Sequence, residues 1–133
     1  MVRRAHFILY VRDQTAATAF YAAALGATPT LHVPGMTEFS LGDLCVLGLM
    51  PEAGAARLLG PALGAFAAGP RAELYLLVAD AASAHQRALA AGARELSPLA
   101  PRDWGHAAAY SVDPDGNVLA FAEEAVARRP TPV

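Results

Sequence analysis

The stretch SVDPDGNVLAFAE, Ser111 to Glu123, reads as a strand, a tight turn and a second strand. Asp113-Pro114-Asp115-Gly116 supplies the turn: proline presets a negative φ, and glycine accepts the positive φ that other residues resist. Within the second strand Ala120 is unexpected, because a methyl group stands where a charged or bulky residue would fit. An earlier stretch, FSLGDLCVLGLM (Phe39 to Met50), has the same form around Gly42-Asp43.

The segments ahead of these hairpins also match. HFILYVRDQTAATAFYAAALGA, from His6, and ELYLLVADAASAHQRALAAGA, from Glu73, share an apolar strand, an aspartate, an alanine-rich amphipathic stretch and Gly-Ala. Asp13 and Asp80 sit where a helix N-cap is wanted, Gly26 and Gly92 where a C-cap is wanted. The chain therefore reads as an α+β fold of two βαβββ modules. It is expected to form a single domain over 1–133, with module one at about 4–50, a Pro/Gly/Ala-rich connector at 51–70 with room for a short helical turn, and module two at about 71–124.

Composition narrows the function. The net charge is -2 and the Arg residues are scattered, which gives no electrostatic footprint for nucleic acid or an anionic membrane. No apolar run is long enough to span a bilayer, and MVRRAHFILYV soon meets Arg12 and Asp13 without a small-residue cleavage site, so a cytoplasmic location is expected. The chain has one cysteine, Cys45, and no lysine. An intrachain disulfide, a clustered-cysteine zinc site, a lysine Schiff base and a Walker-type loop are thereby excluded. Ser40, Ser83 and Ser111 lack nucleophile-elbow glycines, and Cys45 has apolar neighbours that suit packing better than an activated thiolate.

Strand alternation sorts the side chains. Helical stripes of Phe20, Ala24 and Leu25 and of Ala84, Ala88, Leu89 and Ala91 must cover one side of the strands. Phe7, Leu9, Val11, Leu74, Leu76 and Val78 are assigned to that side, and His6, Ile8, Tyr10, Glu73, Tyr75 and Leu77 to the other. A two-residue turn at Gly42-Asp43 would pair Ser40 with Cys45 and Glu38 with Leu47. The longer turn would pair Ser111 with Val118 and Ala109 with Ala120. Phe39, Leu41, Tyr110, Val112, Leu119 and Phe121 are then core, and Glu38, Leu47, Ala109, Ser111 and Ala120 face away from the helices.

HFILYVRD with AFYAAALG, and WGHAAAYSVDPDGNVLAFAE at the other end, resemble the vicinal-oxygen-chelate superfamily of glyoxalases, bleomycin-resistance proteins and extradiol dioxygenases. The likeness covers nearly the whole chain, weakly in the connector. It implies modules curved into a half-open β-cup, usually within a homodimer. In metal-dependent members the ligands stand on the first and last strands of each module, and the matching positions here are His6, Leu47, Glu73 and Ala120. Leu and Ala offer no lone pair, so the metal chemistry of such relatives is not expected. The resemblance is closest in kind to bleomycin-resistance proteins, which implies a cofactor-free, non-enzymatic protein holding a small, aromatic or hydrophobic ligand. The expected contacts are His6, Tyr10, Glu38, Leu47, Glu73, Tyr75, Trp104, Ala109, Ser111 and Ala120. Small residues would leave room for the guest, and Trp104 would stack on it. His32, His85 and His106 read as surface or loop residues. The alternative is a lyase, isomerase or dioxygenase with an irregular metal site of His6, Glu73 and Glu38. Elemental analysis after dialysis is expected to find no stoichiometric divalent ion, and zinc, nickel, manganese or iron lost on His6→Ala would favour the enzyme.

Overall fold

A computed structural model describes residues 2–69 and 72–125. Module one runs β1 (Ala5–Val11), α1 (Gln14–Leu25), β2 (Leu31–Val33), β3 (Met36–Ser40) and β4 (Cys45–Pro51). The connector holds α2 (Glu52–Leu59) and a 3-10 turn (Pro61–Leu63), more helix than its glycines and prolines suggested; the apolar face of α2 buries Ala55. Module two runs β5 (Glu73–Leu77), α3 (Ala81–Ala90), β6 (Arg94–Pro101), β7 (His106–Val112) and β8 (Val118–Glu124). Each module forms one mixed four-stranded sheet, in the orders β1-β4-β3-β2 and β5-β8-β7-β6. β1 lies parallel to β4, and β5 parallel to β8. This is an α+β fold of paired βαβββ modules, with no closed barrel among the described residues.

The helices start where the sequence marks them. Asp13 accepts from the Ala16 N–H at 3.0 Å and Asp80 from that of Ser83 at 3.1 Å, each filling an orphan donor of the first turn. Gly26 closes α1 at φ 60°, a left-handed geometry that glycine adopts without strain. The helices pack on each other and share one core: Phe20, Tyr21 and Ala24 of α1 with Ala81, Ala84 and Ala88 of α3, over Leu9, Val11, Phe39, Leu47 and Leu49 of one sheet and Leu119 and Phe121 of the other. Alanine on both helices permits their close approach. A buried polar contact also fixes α1 on its sheet, Thr18 Oγ1 to Thr37 Oγ1 at 2.8 Å.

Both hairpins differ from expectation by one residue. In the first, Leu41 N–H donates to Cys45 O at 2.8 Å, so three residues and not two form the loop. Phe39 pairs with Leu47 and Glu38 with Gly48. In the second, Asp113 N–H donates to Asn117 O, and Val112 pairs with Val118, Ser111 with Leu119 and Tyr110 with Ala120. A one-residue slip moves every side chain of a strand to the opposite face. Leu47, Ala109 and Ser111 therefore point toward the helices, where each is buried. Tyr110 and Val112, expected in the core, stand on the face away from the helices.

Asp113 fixes the second register. Its Oδ1 accepts from the backbone N–H of Asp115 at 2.9 Å and of Asn117 at 2.8 Å, and its Oδ2 from the Asn117 amide at 3.2 Å and the Tyr21 hydroxyl at 2.6 Å. The last bond joins the final hairpin of module two to the helix of module one. A second tie runs from the Arg12 N–H to Asp115 Oδ1 at 2.9 Å. Burial, then the charge of Asp113, holds the Tyr21 hydroxyl well above the usual tyrosine range. Hydrogen bonds to charged groups contribute about 1.5–3 kcal/mol, so Tyr21→Phe is expected to lower unfolding free energy by that order in denaturant titrations. Because the folded-state value is raised, this stability is present below the unfolded tyrosine value of about 10 and declines as pH rises beyond it. The alkaline decline should be shallower in Tyr21→Phe.

Candidate functional site

Each sheet has one face turned from the helices. On the first, alternation places His6, Ile8 and Tyr10 of β1 beside Val46, Gly48 and Met50 of β4, with Glu38 on β3. His6 Nδ1 lies 3.2 Å from Glu38 Oε2. Tyr10 meets Phe66 of the connector edge-on, with ring centroids 5.5 Å apart. The Leu47 position assigned from sequence is replaced on this face by Val46, the register partner of His6, and by Gly48.

On the second sheet the same face carries Glu73, Tyr75 and Leu77 of β5, Ala120 and Ala122 of β8, and His106, Ala108 and Tyr110 of β7. Trp104, in the loop before β7, donates its indole N–H to the Tyr75 hydroxyl oxygen at 2.9 Å. That hydroxyl lies 2.7 Å from His106 Nδ1, and the Tyr75 and His106 rings are stacked at a centroid distance of 5.8 Å. One hydroxyl, that of Tyr75, thus bonds both neighbouring rings. The indole remains 55% exposed. Three rings thus form a hydrogen-bonded shelf.

The nearby guanidinium serves the fold. Arg102 donates from Nε and from a terminal nitrogen to Ala108 O, at 3.2 and 2.8 Å, and reaches Ser97 Oγ and Pro98 O. These bonds bridge the stretch where the β6–β7 pairing shifts register. The cation also lies 5.2 Å from the Tyr110 ring centroid. Burial, then the negative charge of Glu73, raises the Tyr110 hydroxyl above its ordinary range, so it stays protonated at neutral pH.

The sequence expectations divide on this map. His6 and Glu38 come together, Trp104 joins Tyr75, and Glu73 and Tyr10 keep the assigned face. Leu47, Ala109 and Ser111 do not reach it. Ala120 does, but its methyl has 0% exposure in register between Tyr75 and Tyr110. The buried methyl itself presents no surface on that face. His106, read from sequence as a loop residue, is the missed member of the shelf; Tyr110, at even spacing from it, was itself assigned to the core, so alternation gave no signal. His85, also read as a surface or loop residue, is buried, with Nε2 bonded to Glu95 at 2.8 Å.

Among the described residues no three His, Cys, Asp or Glu groups converge. His6 and Glu38 are one pair of donors, and Val46, Gly48, Val118 and Ala120 beside the family's ligand positions have none. The donor set does not fit the divalent site of metal-dependent relatives.

Paired βαβββ modules of this order define a class, and the comparisons agree with it. A family model described as Glyoxalase/Bleomycin resistance protein/Dioxygenase superfamily matches residues 3–121, and the chain belongs to that superfamily. A glyoxalase-related enzyme from Fulvimarina pelagi superposes with TM-score 0.80 at 23% identity, over 93% of this chain and 89% of that one. A family enzyme from Burkholderia phytofirmans PsJN gives 0.80 at 21%, over 90% and 97%. Lactoylglutathione lyase from Agrobacterium tumefaciens gives 0.68 at 23%, over 89% and 90%. At these identities the likeness is one of fold. No curated protein matches the chain.

Overpacking a filled site costs about 1–3 kcal/mol. Ala120→Phe is therefore expected to lower the thermal midpoint, and an unchanged midpoint would show that space beside Tyr75 and Tyr110 is open.

Proposed function

We propose that the chain is a non-enzymatic, cytoplasmic small-molecule-binding protein that sequesters a hydrophobic or aromatic antibiotic or natural product. The observation that carries this reading is the exposed Trp104 indole anchored through its N–H on the Tyr75–His106 pair. A ring already held in place loses little freedom when a planar guest stacks on it. The His106 ring and the Tyr110 hydroxyl supply polar groups for a carbonyl or hydroxyl on the guest, while Glu73 adds a carboxylate. His6, Tyr10 and Glu38 form a second polar edge on the other sheet. Sequestration requires no bond to break.

The working unit in this proposal is a homodimer. Ile8 and Leu77 are exposed on the faces turned from the helices, and a partner's matching face would remove such apolar surface from water. Sedimentation at micromolar concentration is expected to show a dimer, and a monomer would count against it.

A second reading, a metal-dependent lyase, isomerase or dioxygenase, has the His6–Glu38 contact in its favour. Its donor set stops at that pair within the described chain.

Titration with a panel of aromatic antibiotics and quinones should change the fluorescence of the only tryptophan saturably. Aromatic pairs contribute about 0.5–1.5 kcal/mol beyond area burial, so Trp104→Ala should weaken calorimetric binding by about two- to tenfold. A panel without a binder, together with turnover of a glyoxalase substrate that needs His6, would reverse the assignment.

A further inference from the structure

Phe7 is on the helix side of β1 by alternation, in line with the buried Leu9 and Val11, yet 59% of it is exposed. Across from it Leu74, Leu76 and Val78, on the helix side of module two, are only partly buried. These residues line a cleft of about 720 Å³ between the modules, bounded also by Leu25, Leu41, Cys45 and Phe121. Side chains that should complete the core face empty volume instead. The cleft opens on the helix side along the edge strand β5, whose Tyr75 also lines it, while alternation directs the Tyr75 ring to the shelf on the other face.

Among the described residues one cation stands in this lining, Arg87 of α3. Its Nε lies beside Gly26 at the carboxyl end of α1, 3.7 Å from where a Cβ would be. Ser40, Cys45, Glu73 and Tyr75 are the other polar residues in the lining of the cleft. Glu73 alternates with Leu74 and Leu76, so its carboxylate is directed to the other face of β5. An apolar cleft in the size range of small-molecule sites, with one guanidinium, matches an apolar chain or ring system that ends in a single anionic group.

We infer that this inter-module cleft is a second ligand site, on the helix side of β5, which takes an amphipathic anion whose carboxylate or sulfonate is held by Arg87 while its apolar body covers Phe7, Leu74 and Leu76. A dimer partner is the competing occupant, and Arg87 argues for the small anion, because Phe7 and the leucines offer a partner no reason to bring a negative charge there.

Cys45 provides the test, since it lines the cleft and is the only thiol in the chain. Dodecanoate is titrated into the intact protein while alkylation of Cys45 by iodoacetamide is followed by mass spectrometry. The inference expects saturable protection of Cys45, binding weakened about tenfold in Arg87→Gln, and no protection by methyl dodecanoate at equal concentration. Arg87 is exposed, so this variant should fold. Dodecanoate should leave Trp104 fluorescence unchanged, and this holds whether or not the shelf binds an aromatic guest. Equal protection by acid and ester, or equal affinity in Arg87→Gln, would overturn the inference. So would a Cys45 that is unreactive without ligand and becomes reactive when Phe7→Asp converts a dimer to monomer, because a partner copy would then fill the cleft.

Discussion

The carboxylate of Asp113 is the constraint on which most of this structure depends. It lies 4% exposed and satisfies two backbone N–H groups, one side-chain amide and one phenol. An unpaired buried carboxylate would cost several kcal/mol, so the loop has strong reason to close in one geometry only. That geometry sets the β7–β8 register, and the register decides that Tyr110 stands beside Ala120 while Ser111 and Ala109 turn inward. Through Tyr21 the same group couples the two modules.

From register follows the character of the helix-free faces. On β5, β8 and β7 the order Tyr75, Ala120, Tyr110 places a methyl between two phenol rings. The donor-poor last strands remove the side chains that a divalent ion would require, and the aromatic groups build a surface suited to stacking. The superfamily fold is thus retained with a different lining. Function in such a fold is a property of the lining and not of the scaffold.

Much of the fold was legible in the sequence. Asp13, Asp80 and Gly26 marked helix ends through local hydrogen bonds and φ, and the duplicated pattern reported two copies of one unit. The faces of β1 and β5 followed from simple alternation. Loop length was not legible: Gly42-Asp43 looks like a two-residue turn, but Leu44 joins the loop, and Asp113 closes on Asn117 through contacts that include the distant Tyr21. Each error of one residue left one strand of the hairpin assigned properly and reversed the other, which is why Leu47, Ala109 and Ser111 moved while Glu38 and Ala120 did not. His106 was missed for a related reason. Its partners, Tyr75 and through it Trp104, come together only once β5 lies against β8 and β8 against β7.

In the proposed function the Trp104–Tyr75–His106 shelf receives a planar ligand and no metal site stands in its place. The chain has a single tryptophan, so a ¹⁵N-labelled sample gives one indole N–H resonance, that of Trp104. Following this resonance with the His106 ring signals during titration tests the claim most directly. At least one aromatic antibiotic or quinone should shift both in step and saturably, while zinc leaves them in place. Signals unmoved by every aromatic compound, with zinc bound stoichiometrically and the His6 ring signals shifted, would contradict it.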